Sequence, residues 1–462
     1  MVLHSVITLN TLLARTRRPI FSTLYRGYSV SAKLLPPVCP HRLSHIDKDC
    51  NDFLAWLENK AGAEISSALA IGKSSYGRTL YAADYIQTGD CILKVPYTVQ
   101  LAPDNMPPEI YHLLGDEVGN VSKVALLILH EKKLGKNSEW APYISSLPQP
   151  EDLHSTIFWS DGELEMIRPS ALYEETFRQK AQIKKDFLAV KLALHHFPHQ
   201  FWDVTLQEFS YAYGLVTSRA WESSRGVSMI PFADFLNHDG TSEAYILNDE
   251  TKRHSEVIAD CDFAPSDEVM IKYGNFSNST LLLDFGFTLC SNSYDQVQIE
   301  FYVPQNDGLY KRKLEILHSH HTRSVKDVNE FSTLGNSFTI RKVKRGCDKG
   351  KGIPQSIRAF CRVLTCDSQQ QLNCLVIEAE QNDGRLARYP LKDKIREIAA
   401  HQYLLSEIYR LIEEHGKHMG SLVSDHLSVV RRQLARDLLT GELCVLESAA
   451  EWLENYCSAL YR

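Results

Sequence analysis

The sequence predicts an α+β protein in which groups of short strands are separated by long helical regions. Short strand-like runs divided by glycine and serine occur between residues 65 and 101, and they return between 228 and 303. Apolar residues recur at helical spacing between about 107 and 215, and again after 305. Strands and helices do not alternate one by one, and no Gly-x-Gly-x-x-Gly follows a strand. The pattern therefore argues against a doubly wound nucleotide-binding fold.

The first 45 residues have the composition of an organelle transit peptide. The chain contains no Asp or Glu before Asp47. The basic residues of this segment stand among serines, threonines and leucines: Arg15, Arg17, Arg18, Arg26, Lys33 and Arg42. Segments of this kind form basic amphipathic helices that direct import. We therefore predict a transit peptide and linker over 1–45. Arg26–Ser29 resembles a mitochondrial processing site and favours the mitochondrion; the alternatives are a chloroplast protein, or a cytoplasmic or nuclear protein with a disordered tail.

The folded part begins with a short helix and continues into strands. Phe53, Trp56 and Leu57 form the apolar stripe of a helix that ends at Gly62. Strand-like runs follow, and then a helical insertion is predicted over about 105–215. The later strand-like runs include Glu256–Ala259 and Glu268–Ile271, and the region 305–462 is predicted to be mostly helical.

Composition and charge exclude several classes of protein. Of the 462 residues 44% are hydrophobic and 23% are charged, as is typical of two or three globular domains. A formal net charge of -7 provides no general attraction to nucleic acid. No apolar run approaches the roughly 20 residues of a membrane span. The 11 cysteines include no Cys-x-x-Cys pair, so the sequence predicts no zinc site.

Two short segments are candidates for binding a ligand through turns or helix ends. Gly72–Arg78 is a small-residue turn between strands, and such turns expose backbone N–H and C=O groups. In Val216–Trp221, Arg219 follows apolar residues at the end of a predicted helix, where an arginine often pairs with a carboxylate. A plain hairpin and an internal salt bridge are the respective structural alternatives.

Two further segments place polar residues directly after apolar runs. In Ile230–Asp239, His238 could share a metal ion with Asp234 or Asp239, but no third ligand has suitable spacing. In Asp267–Asn275 a strand ends at Tyr273, where tyrosine often packs with its hydroxyl in water. The sequence lacks a nucleophile-elbow motif, so a serine hydrolase is not supported.

Together these segments resemble the SET-domain protein-lysine methyltransferases, in the subfamily of the Rubisco large-subunit methyltransferases. The motifs that carry the resemblance are Ala233-Asp234 before Asn237-His238, Glu268–Gly274, Asp284–Phe287, Trp140–Pro148, Phe158–Asp161 and Glu163-Leu164. The resemblance implies a SET-domain β core over 50–304 with the helical insertion inside it. It also implies that 305–462 forms a helical domain that binds a protein substrate.

The resemblance also implies roles for individual residues. The residues expected to bind S-adenosylmethionine are Ser74, Tyr76, Arg219, Asn237, His238 and Tyr273. Tyr273 is the expected catalytic residue, and Ser218, Asp234 and Phe285 are expected near the substrate. The sequence departs from the family pattern in two places. Ser74-Ser75 stand in a glycine loop that usually carries an acidic residue, and Phe285 replaces a frequent tyrosine, which leaves room for several methyl groups.

The chemistry of the reaction accounts for these residue types. A sulfonium is already an activated methyl donor, so the protein has to align a neutral amine with it and needs no metal. A lysine amine has a pKa near 10.4 in water, and a desolvating aromatic channel favours its neutral form. We expect a monomer that acts on a protein, does not bind nucleic acid and has no membrane span. The alternatives are a protein-histidine methyltransferase and a catalytically silent SET-like scaffold.

Overall fold

A computed structural model describes residues 51–74, 77–115, 118–194, 204–320, 327–331, 336–344, 350–422 and 428–462. The predicted transit peptide over 1–45 and the predicted cofactor residue Tyr76 lie outside the described residues. The α+β class predicted from the sequence is confirmed, because small sheets are combined with long helices that predominate toward the C-terminus.

The strands are β1 (Leu69–Ser74), β2 (Gly77–Ala82), β3 (Cys91–Pro96), β4 (Ala220–Ser223), β5 (Gly226–Met229), β6 (Asn237–His238), β7 (Ile246–Asp249), β8 (His254–Ile258), β9 (Glu268–Ile271), β10 (Gln296–Glu300) and β11 (Ser337–Arg341). The helices are α1 (Asn51–Ala61), α2 (Pro108–Leu114), α3 (Asn120–Leu134), α4 (Ala141–Ser146), α5 (Asp161–Leu164), α6 (Ala171–Leu194), α7 (Leu206–Arg219), α8 (Asn278–Thr280), α9 (Tyr310–Ser319), α10 (Gln355–Leu364), α11 (Gln369–Glu380), α12 (Lys394–Ser421) and α13 (Val429–Tyr461). They fall into two compact units, Met1–Val99 with Pro231–Lys272 and Gln100–Ile230 with Tyr273–Arg462. The domain boundaries drawn from the sequence stay a prediction.

The first unit is built on two small sheets. One has the strand order β1-β2-β9-β6, in which β6 runs parallel to β9 and the other neighbours are antiparallel. The other has the order β3-β8-β7 and is antiparallel throughout. Alternate residues such as Leu69 and Ile71 in β1 are buried, as period-two patterning requires of a strand with one covered face.

The second unit contains the helical insertion, and two of its helices, α5 and α7, begin at capping boxes. The side chain of Ser160 accepts from the backbone N–H of Glu163 at the start of α5, and the Glu163 carboxylate accepts from the backbone N–H of Ser160 in return. Thr205 and Glu208 form the same reciprocal capping box at the start of α7. Each box satisfies N–H groups that a helix start otherwise leaves unbonded, and this fixes where the helix begins.

The C-terminal part of the second unit packs α10, α12 and α13 against the antiparallel pair β10 and β11 around one apolar core. A buried polar network crosses this core. The Arg362 guanidinium donates to Glu397 at 2.6 Å, and both side chains are almost completely buried. Tyr456 donates to the same carboxylate at 2.7 Å. Arg362 also donates to the Leu386 carbonyl oxygen at 2.6 Å, and such additional hydrogen bonds offset part of the cost of burying the ion pair.

Gly441 in α13 faces a buried carboxylate, and we predict that an alanine there destabilises the protein. A methyl group at this position would overlap the Asp295 carboxylate, which the backbone N–H of Asn278 holds at 2.9 Å. We expect Gly441→Ala to lower the free energy of unfolding by about 1–3 kcal/mol in denaturant titrations. Gly416→Ala in α12 is the matched control, because a methyl group there meets nothing within 4 Å. It should raise stability by up to about 1 kcal/mol through helix propensity. Equal effects of the two substitutions would contradict this packing.

His401 makes the stability of the C-terminal helices depend on pH. Its Nε2 accepts from the Nε–H of Arg358 at 3.0 Å, so Nδ1 carries the hydrogen that goes to the Glu397 carbonyl oxygen at 2.8 Å. Burial, reinforced by the nearby arginines, lowers the pKa of His401 to about 4. His401 is therefore protonated near pH 6.5 in the unfolded chain but only near pH 4 in the folded chain. The contribution of neutral His401 to the free energy of unfolding is present above pH 6.5 and is lost as the pH falls toward 4.

We expect this loss to reach about 3 kcal/mol between pH 7 and pH 4. His401→Gln can still accept from Arg358 and cannot be protonated. The wild type should therefore lose stability relative to His401→Gln as the pH falls from 7 to 4.5. A difference independent of pH would show that His401 does not titrate in this way.

Candidate active site

The first unit contributes the predicted residues Ser74, Asp234, Asn237 and His238. Ser74 is the last residue of β1 and pairs with Gly77 across the hairpin, where Gly77 has a φ of 100° that favours glycine. Asn237 and His238 form β6, which lies beside β9 with Asn237 opposite Met270 and His238 opposite Ile271. The polar pair is thus held by backbone pairing to the late strand, and both segments had been singled out from the sequence.

Glu268 holds the side chain of Asn237, and Thr79 holds Glu268; the sequence analysis assigned neither residue a role. The Asn237 Nδ2 donates to Glu268 Oε1 at 3.2 Å, and Thr79 Oγ1 donates to the same carboxylate oxygen at 2.7 Å. Thr79 is completely buried in β2. These contacts join residues as much as 189 positions apart in the chain, and no local pattern reveals them.

Asp234 lies in a 3-10 turn, Ala233–Phe235, that follows a strained residue. Phe232 has a φ of 73°, a conformation that costs a bulky side chain free energy and persists only where the surroundings enforce it. Phe232 and Asp234 are both buried. His238 follows four residues after Asp234. Burial lowers the pKa of His238, so its imidazole is neutral near pH 7.

The second unit surrounds the predicted catalytic tyrosine with other aromatic rings. We call these rings the aromatic cluster, and its members are Trp221, Tyr273, Phe276, Phe285 and Phe287. The Tyr273 ring lies 5.1 Å from Phe285 and 5.5 Å from Trp221, with the tryptophan edge-on at 85°. Phe287 is 6.3 Å from Tyr273, and Phe276 is 5.6 Å from Phe285. All five residues are only half-buried, so the cluster is an apolar surface that remains partly accessible.

A tight turn places Phe285 in the aromatic cluster. Leu281–Phe285 forms a π-helical turn, and the N–H of Gly286 closes it by donating to the Leu281 carbonyl oxygen at 2.9 Å. Gly286 has a φ of 80°, and a Cβ there would lie 2.7 Å from the backbone nitrogen of Ser155. Both the conformation and the close approach require glycine.

Residues 154–159 form a segment, here called the strap, that contacts both the π-helical turn and α7. The Ser155 hydroxyl donates to the Leu283 carbonyl oxygen in the π-helical turn. The Phe158 ring lies where a Cβ on Gly214 of α7 would approach within 2.6 Å. Arg431 of α13 donates to the Phe158 carbonyl oxygen at 3.1 Å and to Glu163 at 2.6 Å. The strap therefore fixes the π-helical turn and α7 in place from one side.

The end of α7 carries the two remaining predicted residues, Ser218 and Arg219. The Ser218 hydroxyl donates to the Gly214 carbonyl oxygen at 2.9 Å within its own helix. Arg219 is the last residue of α7, and the chain continues directly into β4, which contains Trp221. Arg219 and Trp221, a member of the aromatic cluster, thus lie on consecutive elements of one unit.

Asp284, to which the sequence analysis assigned no role, precedes Phe285 in the chain. Burial, together with the Glu175 charge, raises the pKa of Asp284 to about 7. The residue as a whole is half-buried, but its carboxyl group is surrounded by protein. Burial and the charges of Asp186 and Asp284 likewise raise the pKa of Tyr213. Near pH 7 the Asp284 carboxyl is therefore about half protonated.

Within the described residues no three His, Cys, Asp or Glu side chains are grouped so as to hold a metal ion. None of the helices in the described part of the chain is both long and apolar enough to cross a membrane.

Comparison with known proteins agrees with the resemblance seen in the sequence. The chain is 27% identical over 290 residues to the chloroplastic [fructose-bisphosphate aldolase]-lysine N-methyltransferase of Arabidopsis thaliana, covering 60% of this chain and 59% of that protein. It is 28% identical over 297 residues to the chloroplastic Rubisco large subunit N-methyltransferase of Nicotiana tabacum, covering 59% and 57%. An actin-histidine N-methyltransferase of Dasypus novemcinctus is 26% identical over 285 residues, covering 58% and 47%. The chain thus spans less than two thirds of the length of these relatives. It matches no family model.

The solved structures show the fold. The structure of Rubisco LSMT bound to AdoMet superimposes with a TM-score of 0.68 and 21% sequence identity, covering 90% of this chain and 93% of that chain. The structure of Rubisco LSMT with sinefungin and monomethyllysine gives a TM-score of 0.69, also at 21% identity. The chain has the SET-domain fold of the Rubisco large-subunit methyltransferases, and its sequence is similar to lysine methyltransferases of that subfamily.

Proposed function

We propose that this SET-fold chain transfers a methyl group from S-adenosylmethionine to a lysine side chain of another protein. The observation that carries the proposal is the aromatic cluster around Tyr273, which lies two residues beyond the end of β9. An apolar, partly accessible ring surface suits a reaction in which a lysine amine must lose its proton and its water. Aromatic faces also attract the cationic methylated product.

S-adenosylmethionine is the proposed methyl donor, and its activated methyl group makes a nucleophilic residue or a metal unnecessary. The proposed contacts come from Ser74, Tyr76, Arg219, Asn237, His238 and Tyr273. These residues suit the donor chemically: a guanidinium can pair with its carboxylate, and a side-chain amide oxygen can accept from its ammonium. The low pKa of His238 keeps a second positive charge away from the sulfonium.

Ser218, Asp234 and Phe285 are the residues we propose near the acceptor lysine, with Tyr273 as the catalytic residue. The Tyr273 hydroxyl orients the amine and the methyl group, while its ring and that of Phe285 exclude water. Because Phe285 carries no hydroxyl, we propose that more than one methyl group can be added. Monomethyllysine as the sole product would contradict this last point.

We further propose that a monomer acts on its protein substrate through the helices of 305–462, inside the mitochondrion. The acid-free, arginine-containing composition of 1–45 supports an organelle. The relatives from Arabidopsis thaliana and Nicotiana tabacum are named as chloroplastic, so a chloroplast location is the other outcome to examine.

The decisive experiment incubates the purified chain with methyl-labelled S-adenosylmethionine and mitochondrial or chloroplast extract. We expect one or a few proteins to gain the label, and tandem mass spectrometry to place it on lysine. Label on histidine would establish the histidine alternative. No binding of S-adenosylmethionine to the purified chain would refute the proposal and leave the silent-scaffold alternative.

Tyr273→Phe tests the catalytic assignment, because it removes one hydroxyl and retains the ring that contacts Trp221 and Phe285. We expect kcat to fall by at least about tenfold, since the hydroxyl acts in the transition state, while affinity for S-adenosylmethionine changes little. Tyr85→Phe is the matched control, because Tyr85 is 78% exposed and lies in a loop of the first unit. An unchanged kcat in Tyr273→Phe would show that Tyr273 is not catalytic.

A further inference from the structure

We propose that Glu268 is a positioning residue that sets the orientation of the Asn237 side-chain amide toward the methyl donor. This inference rests on the proposed function, in which Asn237 binds the amino end of S-adenosylmethionine. It adds two residues, Glu268 and Thr79, that neither the sequence motifs nor the comparisons assign to any role.

The hydrogen bonds define which way the amide points. A carboxylate carries no hydrogen and only accepts, so the group that Asn237 turns toward Glu268 must be its Nδ2. The distance of 3.2 Å between Nδ2 and Glu268 Oε1 is that of such a bond. Oδ1 is consequently at the other end of the planar amide group and points away from Glu268.

Thr79 keeps the carboxylate where Asn237 needs it. Its hydroxyl donates to the same Oε1 at 2.7 Å, and Thr79 is completely buried within β2. The neighbouring backbone pairs Leu80 with Val269 in adjacent strands, which holds β2 and β9 in register next to these side chains. Glu268 is therefore anchored both by its strand and by its side chain.

The orientation matters because the two ends of the amide have opposite chemistry. The amino group of S-adenosylmethionine is an ammonium near neutral pH and only donates, so it needs Oδ1 and is repelled by Nδ2. Without an acceptor at position 268 the amide is free to rotate by 180°, and both orientations fill the same space. Glu268 thus selects the orientation that accepts from the ammonium.

Ligand discrimination provides the test. The probes are S-adenosylhomocysteine and its desamino analogue, S-adenosyl-4-thiobutyrate, which differ only in the amino group. Affinities of the full chain for both are measured by isothermal titration calorimetry. Wild type should prefer S-adenosylhomocysteine by at least about tenfold, the value of a hydrogen bond to a charged group.

Three variants separate positioning from a structural role. Glu268→Leu removes the acceptor and should reduce the preference to about threefold or less. Glu268→Gln is the matched control, because its amide oxygen can accept from both Thr79 and Asn237, and it should keep the wild-type preference. Thr79→Val should give an intermediate preference and provides the measurement if Glu268→Leu does not fold.

The outcomes distinguish this inference from the proposed function. If wild type binds neither probe, the proposed function fails. A second outcome is that wild type binds S-adenosylhomocysteine tightly, but Glu268→Leu lowers the affinity for both probes equally or for neither. The positioning role of Glu268 is then overturned while the proposed function stands, and Thr79→Val is judged in the same way if Glu268→Leu does not fold.

Discussion

The close approach of Gly286 to the backbone of Ser155 is the constraint on which the aromatic cluster depends. A Cβ at Gly286 would meet the Ser155 nitrogen at 2.7 Å, and the φ of 80° is unfavourable for any other residue. This contact lets the π-helical turn end abruptly, so that Phe285 and Phe287 lie on either side of the bend and both contact Tyr273. A larger residue would have to move the turn, the strap or both.

The strap extends this constraint to the rest of the second unit. It packs against the π-helical turn at Ser155 and against α7 at Phe158, and it is held from the outside by Arg431 and Lys180. Protein interiors are closely packed and contain few voids, so a side chain that is displaced at one contact also displaces its neighbours. The geometry around Tyr273 is therefore determined by helices that lie far from it in sequence.

The parts of the site that the sequence predicted are those encoded by local patterns. The apolar run before Asn237 and His238 and the strand that precedes Tyr273 can both be recognised within ten residues. β6 has only two residues, too few for any period to be detected, and it exists because β9 pairs with it. The bonds of Glu268 to Thr79 and Asn237 were equally invisible, since they join three separate strands. Tertiary pairing supplies what local propensity lacks.

Burial also sets the charges of Asp284 and His238, and these charges suit the proposed reaction. A carboxylate close to a lysine amine would stabilise the protonated amine, which cannot attack a methyl group. The pKa of about 7 of Asp284, in the turn that carries Phe285, removes about half of that negative charge at neutral pH. A neutral His238 likewise adds no positive charge.

The C-terminal helices are part of the same packed structure as the turn that carries Phe285. Leu282 and Leu283 of that turn share an apolar core with Leu434 and Leu438 of α13. Buried Glu442 of α13 accepts from Ser170 in the insertion at 2.6 Å and bonds to His415 of α12 at 2.9 Å. Burial alone would lower the pKa of His415, but the bond to Glu442 outweighs burial and raises the pKa, which favours the protonated imidazole. Removing one partner of a buried pair leaves the other uncompensated, at a cost of about 3–5 kcal/mol. Substrate binding to these helices, as proposed, would therefore be coupled to the aromatic cluster by shared packing.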